Sequence, residues 1–126
     1  MSSRVKVYDW NDIPSRVLKP GIIQRGFRSK GVLVTYNYLE PGCQGSPHKH
    51  SFDQLFMIIK GRVKLHVEDE VFDCGPTSVV RIPADHMHWV EPPDPEDGVA
   101  INLDIFGPMR EDYLDIVAYQ DDDFSQ

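Results

Sequence analysis

The chain has 126 residues, 40% of them hydrophobic and 26% charged, with a formal net charge of −7. A domain of that length hides roughly two thirds of the surface of its unfolded chain, so the expectation is one core with one cavity. The acidic balance argues against a nucleic-acid partner, and apolar runs such as "LFMII" and "VAI" fall far short of the roughly 20 residues that cross a bilayer.

The opening "MSSRVKVYDW" lacks the apolar stretch of a secretory leader, which predicts a cytoplasmic protein. Residues 1–20 read as an N-terminal arm carrying Val5, Val7, Trp10, Ile13 and Val17 without a clear period. Such an arm lies across a barrel face, crosses to a second subunit, or packs as an edge strand on its own. From 21 to 110 short alternating or β-branched runs recur: "KGVLVTYNYLE", "LFMIIKG", "RVKLHVED", "EVFDCG", "SVVRIP", "HWVE" and "VAINLDIFG". Proline and glycine fall between them, where turns need them, and the pattern predicts an all-β sandwich or barrel. In 111–126, Tyr113, Ile116 and Val117 stand at i, i+3, i+4 spacing, which predicts a short C-terminal helix or turn. The acidic end "QDDDFSQ" reads as a solvated, disordered tail. Cys43 and Cys74 read as reduced thiols in a cytosolic chain.

The chemistry concentrates in "PHKHSFDQLF". On an extended strand, side chains two apart share a face, so His48 and His50 can present both rings to one metal ion. Gln54 has the same parity, and its amide oxygen reaches the same point if the chain bends between Ser51 and Asp53; otherwise it only hydrogen-bonds in the cavity. His66 alternates with Val63, Leu65 and Val67 and reads as solvent-facing.

The framing residues widen this. Gly42, five residues, His48-x-His50, three residues, Gln54, six residues, Gly61 is similar to the first motif of the cupin superfamily, with glutamine where the family pattern has glutamate. "TSVVRIPADHMHWVEP" resembles the second motif with Pro83 and His88 aligned. Thr77 and Asp85 replace its two glycines, and Pro92 its asparagine. The resemblance implies a jelly-roll β-barrel (a double-stranded β-helix) holding a divalent transition metal, whether Zn, Ni, Mn or Fe, on His48, His50, Gln54 and His88. His86, two residues from His88, is the rival third histidine. With a neutral amide in place of a carboxylate such a site keeps a charge near +2 rather than +1, which strengthens Lewis-acid chemistry and disfavours a trivalent state.

The ending "LDIFGPMREDYL" is similar to that of the pectin-degradation type cupins, single-domain proteins with three histidines and a glutamine at the metal. In that group the enzyme opens the ring of a 4,5-unsaturated monouronate to its linear keto form. Carried over by position, Asp104, Phe106 and Arg110 line the substrate cavity, and the alternation of "INLDIF" independently puts Asn102, Asp104 and Phe106 on one face. Arg110 would bind a carboxylate and Asp104 move a proton; the competing reading makes Arg110 and Glu111 a surface ion pair. Tyr36 and Tyr38 are assigned to the substrate. The same ligand set occurs in cupins with hydroxynitrile lyase activity. The expectation is therefore an isomerase or lyase on a small hydroxy-acid or sugar-derived substrate. A metal-dependent dioxygenase and a non-catalytic binding module stand as alternatives. A homodimer is expected, with the arm and Trp10 at a largely apolar interface.

Overall fold

The computed structural model describes residues 5–124. Among the described residues, nine strands make two antiparallel sheets. They are β1 (Arg16–Lys19), β2 (Ile22–Arg28), β3 (Leu33–Leu39), β4 (Gln54–Lys60), β5 (Val63–Val67), β6 (Glu70–Cys74), β7 (Val79–Ile82), β8 (His88–Val90) and β9 (Ala100–Phe106). The larger sheet runs β1-β2-β3-β9-β4-β7 and the smaller β6-β5-β8. This is the all-β barrel that the spacing of the runs predicts, in the jelly-roll form that the cupin resemblance implies.

Alternation decides what goes inside. In β3, Leu33, Thr35, Asn37 and Leu39 are buried while Val34, Tyr36 and Tyr38 are not; in β4, Gln54, Phe56 and Ile58 turn inward. Phe56, Ile58 and Leu39 from the large sheet meet Val63, Leu65 and Cys74 from the small one, with Ile82, Cys43 and Ala100 completing the cluster. Each fully buried Leu, Ile or Phe there contributes about 1.5–3 kcal/mol. Cys43 and Cys74 are free thiols within it.

Of the predicted arm, residues 16–19 form the edge strand β1, paired with β2 of the same chain. Trp10 stacks on Tyr36 at 4.9 Å and meets Phe27 edge-on at 6.3 Å, while Tyr8 packs on Phe27 and Tyr119. The arm thus covers the outer face of β2 and β3 on its own subunit. Met1 to Arg4 lie outside the described residues.

The C-terminal segment forms the expected helix, which runs on into the acidic stretch. Glu111–Phe124 is a single 3-10 helix, and its Val117 joins Leu33 and Phe106 in a second apolar cluster. Gly26 makes room for it, because a Cβ there would come within 2.7 Å of the Ile116 side chain. The acidic stretch is ordered through Phe124. Arg28 N donates to Gln120 Oε1 at 2.9 Å and Gln120 Nε2 donates to Arg28 O at 3.0 Å, while Lys6 and Tyr8 both bind the Asp123 carboxylate. A charge run hides these non-local partners. Ser125 and Gln126, the end of the predicted disordered tail, lie outside the described residues.

Thr77 and Asp85, standing in for two motif glycines, keep positive φ of 76° and 63°, a region that costs a side-chain-bearing residue on the order of 1–3 kcal/mol. Their amides explain why the turns hold: Thr77 N donates to Ile58 O at 3.2 Å and Asp85 N to His50 O at 2.8 Å.

Candidate metal centre

His48 lies in an extended loop before β4, and its backbone is paired directly with β8. His48 N donates to His88 O at 3.1 Å and His88 N to His48 O at 2.9 Å. This reciprocal bridge makes the two histidines opposed residues with side chains on one face, and the ring centroids lie 4.3 Å apart. His50, two residues on, has its ring 5.1 Å from that of His88. One nitrogen from each ring falls within 4.8 Å of the others. The His86 ring is not in this group; its Nδ1 lies 2.9 Å from Ala84 O.

The three rings are oriented alike. Nδ1 of His48, His50 and His88 sits 2.9 Å from the carbonyl oxygens of Ser46, Phe52 and His86 respectively. A backbone carbonyl only accepts, so each Nδ1 carries the proton and each Nε2 presents a lone pair. His88 Nε2 is buried without a protein partner among the described residues, an orphan that a metal would satisfy. Gln54 supplies the fourth donor: its Oε1 is 3.1 Å from His50 Nε2, and its Nε2 donates to Asp104 Oδ1 at 2.7 Å. Asp104 therefore fixes which end of the amide faces the imidazoles. The donor set of three neutral nitrogens and one neutral oxygen fits a divalent first-row ion.

Burial disfavours the charged form of two of these rings. Burial pushes His88 down to about 4, assisted by the charges on His48, His50 and Arg110. His48 is lowered too, first by loss of solvent around its ring and then by His50, Lys19 and Arg110. Burial has the opposite effect on the Asp104 carboxyl, pushing it up to about 6 against the hydrogen bonds of Gln54, Asn102 and Asn37 and the charge of Arg110. Oδ1 takes the bonds from Gln54 and Asn102, at 2.7 and 2.9 Å, and Oδ2 only that from Asn37 at 3.2 Å.

His48, Gln54, His88 and Asp104 line a cavity of about 250 Å³ together with Phe106 and Arg110. Arg110 lies over Tyr113 at 3.9 Å, Phe106 at 4.8 Å and Phe52 at 5.1 Å. Its ion-pair partner is Asp112, through Nε and a terminal nitrogen at 3.1 and 2.6 Å, and not Glu111. Tyr36 and Tyr38 do not line the cavity. They share the outer face of β3, Tyr36 under Trp10, because the inward parity of that strand belongs to Thr35 and Asn37. His66 stacks on Trp89 at 4.1 Å and bonds Glu91 at 2.5 Å, away from the metal-binding rings.

The site also contains residues that sequence reasoning passed over. Gln24 Nε2 donates to Asn37 Oδ1 at 3.0 Å, and Arg16 Nε to Gln24 Oε1 at 3.0 Å, extending the Asp104 network across β3, β2 and β1. The signal was available: in "VTYNYL" and "IIQRGF" the polar residues occupy the parity that otherwise carries Leu33 and Leu39.

Residues 36–106 match the family described as the Cupin domain, and no curated protein matches the sequence. Among solved structures, KdgF from Halomonas sp. superposes with a TM-score of 0.77 at 20% identity, covering 86% of this chain and 98% of that one. An RmlC-like cupin from Shewanella frigidimarina gives 0.75 at 17% identity over 90% and 99%. The polyketide cyclase RemF from Streptomyces resistomycificus gives 0.72 at 18% over 86% and 82%. Likeness at these identities speaks for the fold.

Proposed function

The chain belongs to the cupin family, and from that premise we propose that it is a metal-dependent isomerase or lyase acting on a small hydroxy-acid or sugar-derived substrate. Ring opening of a 4,5-unsaturated monouronate is the specific reaction proposed. The observation that carries this reading is the neutral donor set, three imidazoles held by main-chain carbonyls and one amide held by Asp104. When bound there, a divalent ion supplies Lewis acidity toward a substrate oxygen.

The chain's own groups supply the rest. Arg110, with its guanidinium within 5.1 Å of three aromatic ring centroids, offers its remaining N–H groups to a substrate carboxylate. Asp104, pushed up to about 6 by burial, is poised to take and return a proton near neutral pH. Oδ2, with its single hydrogen bond, is the oxygen that does so. Phe106, which lines the cavity, packs edge-on against Phe52 at 5.8 Å and gives that end an apolar wall.

Gln54→Glu tests the reading. It should retain or tighten metal binding yet slow loss of the conjugated absorbance of the unsaturated uronate, since the added negative charge weakens polarisation of the substrate oxygen. An equally fast Gln54→Glu enzyme overturns the charge argument, and a metal-loaded parent inert on every such uronate overturns the substrate.

The proposed assembly is a homodimer. The arm covers β2 and β3, but on the outer face of β4 and β7 Leu55, Ile59 and Val79 remain 37%, 47% and 62% exposed, an apolar surface that a second copy would bury. A monomer by light scattering at micromolar concentration overturns it.

A further inference from the structure

The strand β1 contains an irregularity with a chemical outcome. Arg16 pairs with Gln24 and Val17 with Ile23, but the register then shifts so that Lys19 stands opposite Ile22 and Leu18 is the extra residue. In a regular strand, residues three apart point to opposite faces. The bulge reverses the parity, as bulges beside binding sites do, so Arg16 and Lys19 both turn toward the interior. Arg16 reaches Gln24, while Lys19 lines the cavity with Ser46, His48 and Arg110.

Its ammonium donates to Ser46 Oγ, and the carbonyl of Ser46 is the group that holds His48 Nδ1. Lys19 is thus tied to the metal-binding histidine through one residue. Arg110 is the second cation that lines this cavity. The two cations differ in one respect. Arg110 is paired with Asp112, whereas no carboxylate forms a salt bridge with Lys19 among the described residues. A cation with no carboxylate partner at the rim of a cavity, in a chain carrying −7, is placed to meet a ligand oxygen.

We propose that Lys19, with Ser46, is the specificity-determining anchor for the far, hydroxyl-bearing end of the substrate, whose carboxylate meets Arg110. The substrate class is then a polyhydroxylated carboxylic acid long enough to touch both cations, and short hydroxy acids are discriminated against. This rests on the acid-binding reading above and refines it.

The experiment uses metal-loaded protein and calorimetric titration with two probes, glucuronate and lactate, the second lacking the far hydroxyls. In Lys19→Met, which keeps an apolar stem, glucuronate affinity should fall about tenfold, the worth of one charge-assisted hydrogen bond. Lactate affinity, metal content and the melting midpoint should match the parent. Ser46→Ala should move glucuronate in the same direction by less. Arg110→Ala should weaken both acids. Equal loss of both acids in Lys19→Met, or loss of neither, overturns the role of Lys19 and leaves the acid reading standing. A metal-loaded parent that binds neither acid overturns both.

Discussion

Across the barrel, the six-stranded sheet turns Gln24, Thr35, Asn37, Gln54 and Asn102 inward, all of them buried, whereas the three-stranded sheet answers with Val63 and Leu65 and contributes His88 as its polar group. Both faces enclose the same space, and they do different jobs. The small sheet closes the core by apolar contact, at about 25 cal/mol for each Å² removed from water. The large sheet carries a hydrogen-bonded chain from Arg16 to Gln54 through Gln24, Asn37 and Asp104. The polar network is a property of one wall, while both walls share the apolar core and the opposite wall adds one histidine of the candidate metal centre.

The strongest way to break that division is to remove the ligand the small sheet supplies. His88→Ala should cut metal affinity at least about 1,000-fold, beyond the 10–100-fold that residues behind a metal ligand typically command, in competition with a chelator. His86→Ala and His66→Ala should bind as the parent does. A comparable loss in His86→Ala would move the ligand off β8.

Leu65→Ala probes the apolar wall, where the side chain is fully buried. It should cost about 2–5 kcal/mol by urea denaturation, while the folded fraction still takes up one metal per chain. Loss of metal from fully folded Leu65→Ala would show that the two walls are not separable.

A third test uses pH on metal-free protein. Because burial holds folded His88 at about 4, below its ordinary 6.5, its contribution is fully present above pH 6.5. It is lost as pH falls toward 4, by roughly 3 kcal/mol. Asp104 runs the other way, its raised value weakening the fold as pH climbs from 3.8 to about 6. The difference between parent and His88→Gln isolates the histidine: the variant should lose less stability between pH 7.5 and 4.5, and parallel curves would contradict the assignment. The smallest effect is expected at the strained turn between β6 and β7. Thr77→Gly should stabilise the protein by about 1 kcal/mol in the same denaturation assay, with metal content unchanged.

Much of this was legible because alternation is a local property. The β runs, the shared face of Asn102, Asp104 and Phe106, and the parity of His48, His50 and Gln54 follow from period two. Alternation does not say which face is inward, and β3 shows the consequence. Val34, Tyr36 and Tyr38 are the more apolar set, yet they lie outside because Trp10 covers Tyr36 and the barrel interior takes Thr35 and Asn37. Lys19 was beyond reach for a different reason, since the bulge that turns it inward appears only when β1 is laid against β2. Gln120 was hidden in an acidic run, and its partners sit 92 residues away.

The reciprocal bridge between His48 and His88 bears on which ions the site accepts. Residues that exchange both amide bonds across antiparallel chains stand about 5.5 Å apart at Cα, so the spacing of these two candidate ligands is set by the main chain. Gln54 instead reaches the site through a long side chain steered by Asp104. Ions of different radius would therefore be accommodated chiefly by small movements of that amide. The tolerance of the centre for one metal over another then becomes a question of how firmly Asp104 grips it.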